Sequence, residues 1–95
     1  MNSEQAILAA IERIPLPEPV ERLIAYPEVD SMDRPAIRVW IILKDDHVAE
    51  RETSAMLDAL TQAIRDRTWQ IDERYWPYVR VRSVSEQALI ESEHG

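Results

Sequence analysis

Between Ala36 and Lys44 the chain reads Ala-Ile-Arg-Val-Trp-Ile-Ile-Leu-Lys, and its two parities differ in kind. Ile37, Val39, Ile41 and Leu43 make one parity, unbroken and aliphatic. Ala36, Arg38, Trp40, Ile42 and Lys44 make the other, in which arginine and tryptophan sit among apolar neighbours. Successive side chains of a β-strand point to opposite faces, so the pattern predicts a strand with one face in a core and an amphipathic face opposite. Tyr78 to Val84 repeats the division, with Val79 and Val81 set against Tyr78, Arg80 and Arg82. The segment Glu21 to Tyr26 also reads as a strand, with Arg22, Ile24 and Tyr26 on one side. Val20, Leu23 and Ile24 would suit a helical turn, but the segment is short and Pro27 follows it.

Helical spacing governs the rest. Ile7, Leu8, Ile11 and Ile14 recur at the helical period after a capping Asn2 or Ser3, and Pro15, Pro17 and Pro19 end the run. From about His47 to Arg67 a second helix buries Met56, Leu57, Leu60, Ala63 and Ile64. Either Asp45 or Asp46 is placed to cap it. Ser83-x-x-Glu86 has the form of a capping box opening a short last helix with Leu89 and Ile90. The expected order is α-β-β-α-β with a short C-terminal helix, in a single α+β domain over residues 1–95. The first two strands form an antiparallel hairpin through an aspartate-rich loop. The long second helix crosses back so that the third strand runs parallel to the second. The sheet is three-stranded and mixed, with helices on one face and the Ala36 strand central.

Composition narrows the function classes. The chain has no cysteine, which removes thiolate catalysis and zinc-thiolate sites. Its single glycine is Gly95, so glycine-rich phosphate cradles and Gly-x-x-Gly clamps are ruled out. Tight turns must then rest on aspartate and proline. A net charge of −7 opposes nonspecific attraction to polyphosphate. The start lacks a basic and apolar leader pattern, and no apolar run approaches the ~20 residues of a membrane span. A soluble cytoplasmic protein without membrane contact is expected.

Three groupings hold candidate chemistry. Asp45, Asp46, His47 and Glu50 follow the central strand, where ligands of open α/β sheets gather, and their donors suit magnesium or manganese. Helix capping accounts for the same residues more simply. Trp69, Ile71, Tyr75, Trp76 and Tyr78 surround Pro77 and are expected to plug the end of the core rather than line a pocket. The third grouping shares the amphipathic face: Arg22, Tyr26, Arg38, Trp40, Ile42, Tyr78, Arg80 and Arg82. Arginine mixed with tryptophan and tyrosine is favoured where proteins meet. It also suits stacked single-stranded nucleic acid, though the net charge disfavours that reading. The expectation is a non-enzymatic adaptor, antitoxin-like or regulatory module without a cofactor, forming a dimer or binding a protein partner through this face. Trp40 and Ile42 are expected to stand partly exposed, with Trp40 at its centre. A small metal-assisted enzyme built on the acidic cluster is the alternative, with nucleic-acid binding third.

Overall fold

The computed structural model describes residues 2–45 and 51–94, the side chains of 51–53 and 94 excepted. Its elements are α1 (Ser3–Glu12), β1 (Val20–Val29), β2 (Pro35–Leu43), α2 (Arg51–Ile71), β3 (Trp76–Ser83) and α3 (Val84–His94). The α+β class, the element order and the central position of β2 are those the sequence predicts.

Local chemistry sets each boundary. Asn2 Oδ1 accepts from Gln5 N–H at 2.8 Å and caps α1. The helix closes when Arg13 N–H turns back to Ala10 O, and the following prolines forbid a further turn. β1 and β2 pair antiparallel from Val29 opposite Pro35 up to Val20 opposite Leu43, with an irregularity at Glu21. β2 and β3 pair parallel and without interruption from Ala36 opposite Trp76 to Leu43 opposite Ser83. The α2 crossover supplies the length that parallel pairing requires. Three boundaries differ by two residues or more from the expected ones: β1 continues past Pro27 to Val29, α2 continues to Ile71, and β3 begins at Trp76. The predicted start of α2 near His47 lies outside the described residues.

The core lies where the aliphatic parity of β2 meets α1 and α2. Ile37, Val39, Ile41 and Leu43 pack with Ile7, Ile11 and Ile14 and with Leu60 and Ile64. Thr68 continues the buried stripe of α2 with no exposed surface, its hydroxyl donating to Ile64 O at 2.8 Å. That back-bond satisfies a polar group that would otherwise be costly to bury.

α1 and α2 cover one face of the sheet, and α3 lies across one end of the other. Its capping box is as the sequence predicts: Glu86 N–H donates to Ser83 Oγ, while Ser83 N–H donates to a Glu86 carboxylate oxygen, both at 3.1 Å. None of the described helices is long and apolar enough to cross a membrane.

Candidate interaction face

Strand pairing arranges the amphipathic face in four cross-strand rows. Glu28, Ala36 and Trp76 form the first, followed by Tyr26, Arg38 and Tyr78; then Ile24, Trp40 and Arg80; then Arg22, Ile42 and Arg82. All eight residues chosen from the sequence therefore share one surface. They do not share one environment.

The last row is partly covered, and Arg22 stays exposed at its edge. α3 sets Val84, Gln87, Ala88 and Glu91 around Arg22 and Ile42. Ile42 is only 1% exposed, so the expectation that it stands partly exposed is overturned. Arg22 reaches Glu91 at 2.9 Å, and Arg82 donates to Gln87 Oε1 at 2.7 Å. Gln87 and Glu91 are linked at 3.1 Å, one helical turn apart. Hydrogen bonding from Gln87, and then the Arg22 guanidinium, hold the Glu91 carboxyl below its ordinary pKa.

The first three rows, joined by Arg82 of the last, form a lattice in which arginines and rings support one another. The Arg38 guanidinium lies 5.2 Å from the Tyr78 ring centre and pairs with Glu28 at 3.0 Å. Arg82 lies over Trp40 at 3.4 Å, a cation-π contact of about 0.5–2 kcal/mol depending on how dry it is. Trp40 Nε1–H donates to Tyr26 Oη at 3.2 Å, and Tyr78 Oη donates to Asp30 at 3.4 Å. Arg80 is exposed and has no ion-pair or hydrogen-bond partner among the described residues. Tyr26 is 42% exposed and Trp76 47%, so flat aromatic surface faces outward at two corners of the face. Glu28, Gln87 and Glu91, which fix three of the four arginines, were not among the sequence candidates. Glu28 had a readable signal, since it shares the parity of Arg22 and Tyr26 once the strand runs past Pro27.

The acidic grouping resolves differently. Asp45 accepts from Ser85 N–H at 3.1 Å and from Ser85 Oγ at 2.5 Å, so it ties the sheet end to the first turn of α3. The Ser85 hydroxyl first, and its N–H second, keep the Asp45 carboxyl below its usual pKa. Asp46, His47 and Glu50 lie outside the described residues. Among the described residues, no three histidine, aspartate or glutamate side chains converge as metal ligands would.

The aromatic grouping splits. Tyr75 packs on the core, and Trp69 Nε1–H donates to Tyr75 O at 3.1 Å. Trp76 meets Trp69 at 5.4 Å and Tyr78 at 6.4 Å, linking the end of α2 to the face. Beside it, a cleft of about 450 Å³ lies between the 30–35 loop and Arg74, walled by Trp76 and Tyr78. The chain matches no family model, no curated protein and no solved structure.

Proposed function

We propose that the protein is a non-enzymatic interaction module whose uncovered sheet face docks another protein chain. The observation that supports this best is the ordered lattice of Tyr26, Arg38, Trp40 and Tyr78, flanked by the exposed Arg80 and Trp76. A surface whose bulky side chains are already fixed loses little rotamer entropy on binding, which is the property of association hot spots. The same pairing disfavours polyphosphate as the ligand. Arg22 and Arg38 already face carboxylates, and the chain as a whole carries −7. Against the metal-assisted alternative, each oxygen of Asp45 already accepts from Ser85.

The test uses two exposed positions of the face, Tyr26 at the edge of the lattice and Arg80 beside it. A protein that copurifies with the wild-type chain should bind Tyr26→Ala, Arg80→Glu at least about tenfold more weakly, a loss of roughly 1.4 kcal/mol or more. Circular dichroism should be unchanged. Salt-sensitive binding of a labelled single strand, with no bound protein recovered, would replace this reading by the nucleic-acid one. Heat released on titration with magnesium or manganese would favour the metal-assisted reading.

A further inference from the structure

The uncovered part of the sheet face carries unbalanced charge. Arg38 and Arg80 lie within its three rows, and Arg82 reaches in from the last row over Trp40. The carboxylate among them is Glu28, already paired with Arg38 at 3.0 Å. Asp30 and Arg34 pair with each other at the end of the sheet and cancel. Arg82 has the neutral Gln87 and the Trp40 ring for company, and Arg80 has no polar partner among the described residues. Positive charge is therefore in surplus here, on a chain whose total is −7. Both uncompensated arginines belong to β3, so the surplus runs along one side of the face. Ile24 and Tyr26 of β1 make the other side largely apolar.

That surplus opposes a second copy as the occupant. Two copies meeting face to face would set like charge against like charge across a contact that is being dried. Glu28 does not relieve this, because Arg38 already holds it. α3 shows instead what the face accepts. It lies on the last row with Val84 and Ala88 beside Ile42, while Gln87 meets Arg82 at 2.7 Å and Glu91 meets Arg22 at 2.9 Å. Residues four apart share one side of a helix, so an apolar stripe and a polar stripe run next to each other. The uncovered rows extend about 13 Å along the strands and about 10 Å across them, a seat for one more α-helix.

We infer that the partner of this face is an acidic amphipathic helix of another protein, seated beside α3. Its apolar stripe lies on Ile24, Tyr26 and Trp40, and its carboxylates face Arg80 and Arg82. The inference rests on the docking face proposed above and adds the chemistry of the partner to it. A charge-assisted hydrogen bond to Arg80 forms without breaking an existing ion pair, whereas one to Arg38 would compete with Glu28.

A display library of helix-forming peptides, each of about 15 residues, tests it on the full chain. Apolar positions are fixed at helical spacing, and flanking positions are drawn from glutamate, glutamine and lysine. Peptides enriched on the wild type should carry glutamate beside the apolar stripe and bind Arg80→Glu at least about tenfold more weakly. Exchanging that glutamate for lysine should weaken binding to the wild type and restore binding to Arg80→Glu. The exchange read on the wild type needs no variant of the protein, so it decides even if Arg80→Glu fails to fold. Enriched peptides that are neutral or rich in lysine, and that bind Tyr26→Ala poorly, overturn the inference while the docking face stands. A wild type that sediments as a dimer and dissociates in Tyr26→Ala does the same, because a second copy then takes the face. Peptides that bind Tyr26→Ala and Arg80→Glu as tightly as the wild type overturn both readings, as does a library that yields no binder.

Discussion

Asp33 occupies the left-handed region with φ of 61°, where most non-glycine residues are strained. It lies in the loop joining β1 to β2, built around the neighbouring Asp30. Asp30 Oδ1 accepts from Met32 N–H at 2.8 Å and Arg34 N–H at 3.0 Å. The Arg34 N–H first, with Met32, the Arg34 charge and Tyr78 adding to it, outweighs burial and holds the Asp30 carboxyl below its usual pKa. A chain whose single glycine is Gly95 must use aspartate here, and the sequence foretold that much. Which aspartate takes the strained conformation was not legible, because Asp30 and Asp33 are equally good turn residues. Asp33→Gly should therefore stabilise the domain by about 0.5–1 kcal/mol, whereas Asp33→Ala should destabilise it by about 1 kcal/mol. Thermal melts would register the glycine variant as a rise of roughly 2–8 °C. A melting point unmoved or lowered by glycine would mean that the aspartate side chain holds the turn.

Attachment of α3 to the sheet is mostly polar. Arg22 to Glu91, Arg82 to Gln87 and Asp45 to Ser85 span its length, while Leu89 remains 63% exposed. Both carboxyls have folded pKa values below their unfolded ones, so their stabilisation is complete above the unfolded pKa and is lost as pH falls through the folded one. Acidification below about pH 4 should loosen α3 while the aliphatic core persists. Hydrogen-exchange protection factors of α3 should then drop toward pH 3 ahead of those in β2. Loss of protection in both elements together would mean that α3 is an integral part of the cooperative unit. The capping box of this helix was legible at Ser83 and Glu86, and the crossover was legible from connection length. The final turn of α2 was not, because Thr68 is polar and the nearby aromatics obscure the helical phase. The placement of α3 was also illegible. Gln87 and Glu91 advertise a polar helix face, but nothing local says that Arg22, far back in the chain, is its target.

At the scale of the molecule, β2 divides the protein into two surfaces, and neighbouring residues belong to different ones. Parity alone identified that division, because a strand reverses its side chains at every step whatever surrounds it. What parity left open was the state of the second surface, which depends on α3 and on partners for arginine supplied by distant segments. Ile41 has no exposed surface and stands between Leu23 and Val81 in the cross-strand rows. Trp40 is half-buried on the opposite face beneath Arg82. A domain of this size has a folding free energy of roughly 5–14 kcal/mol, and truncating a buried isoleucine costs about 2–5 kcal/mol. Ile41→Ala should therefore remove a large part of the stability and lower the melting temperature by about 10 °C or more. Trp40→Ala loses a cation-π contact and some packing, and should cost about 1–2 kcal/mol. For association the order should reverse: Trp40→Ala should weaken partner binding, while Ile41→Ala should leave binding by the remaining folded fraction unchanged. Denaturant titrations paired with binding measurements would establish both orders. If Trp40→Ala proves the more destabilising and leaves binding unchanged, the arginine-aromatic lattice serves to hold the sheet together, and the docking function must be sought elsewhere on the protein.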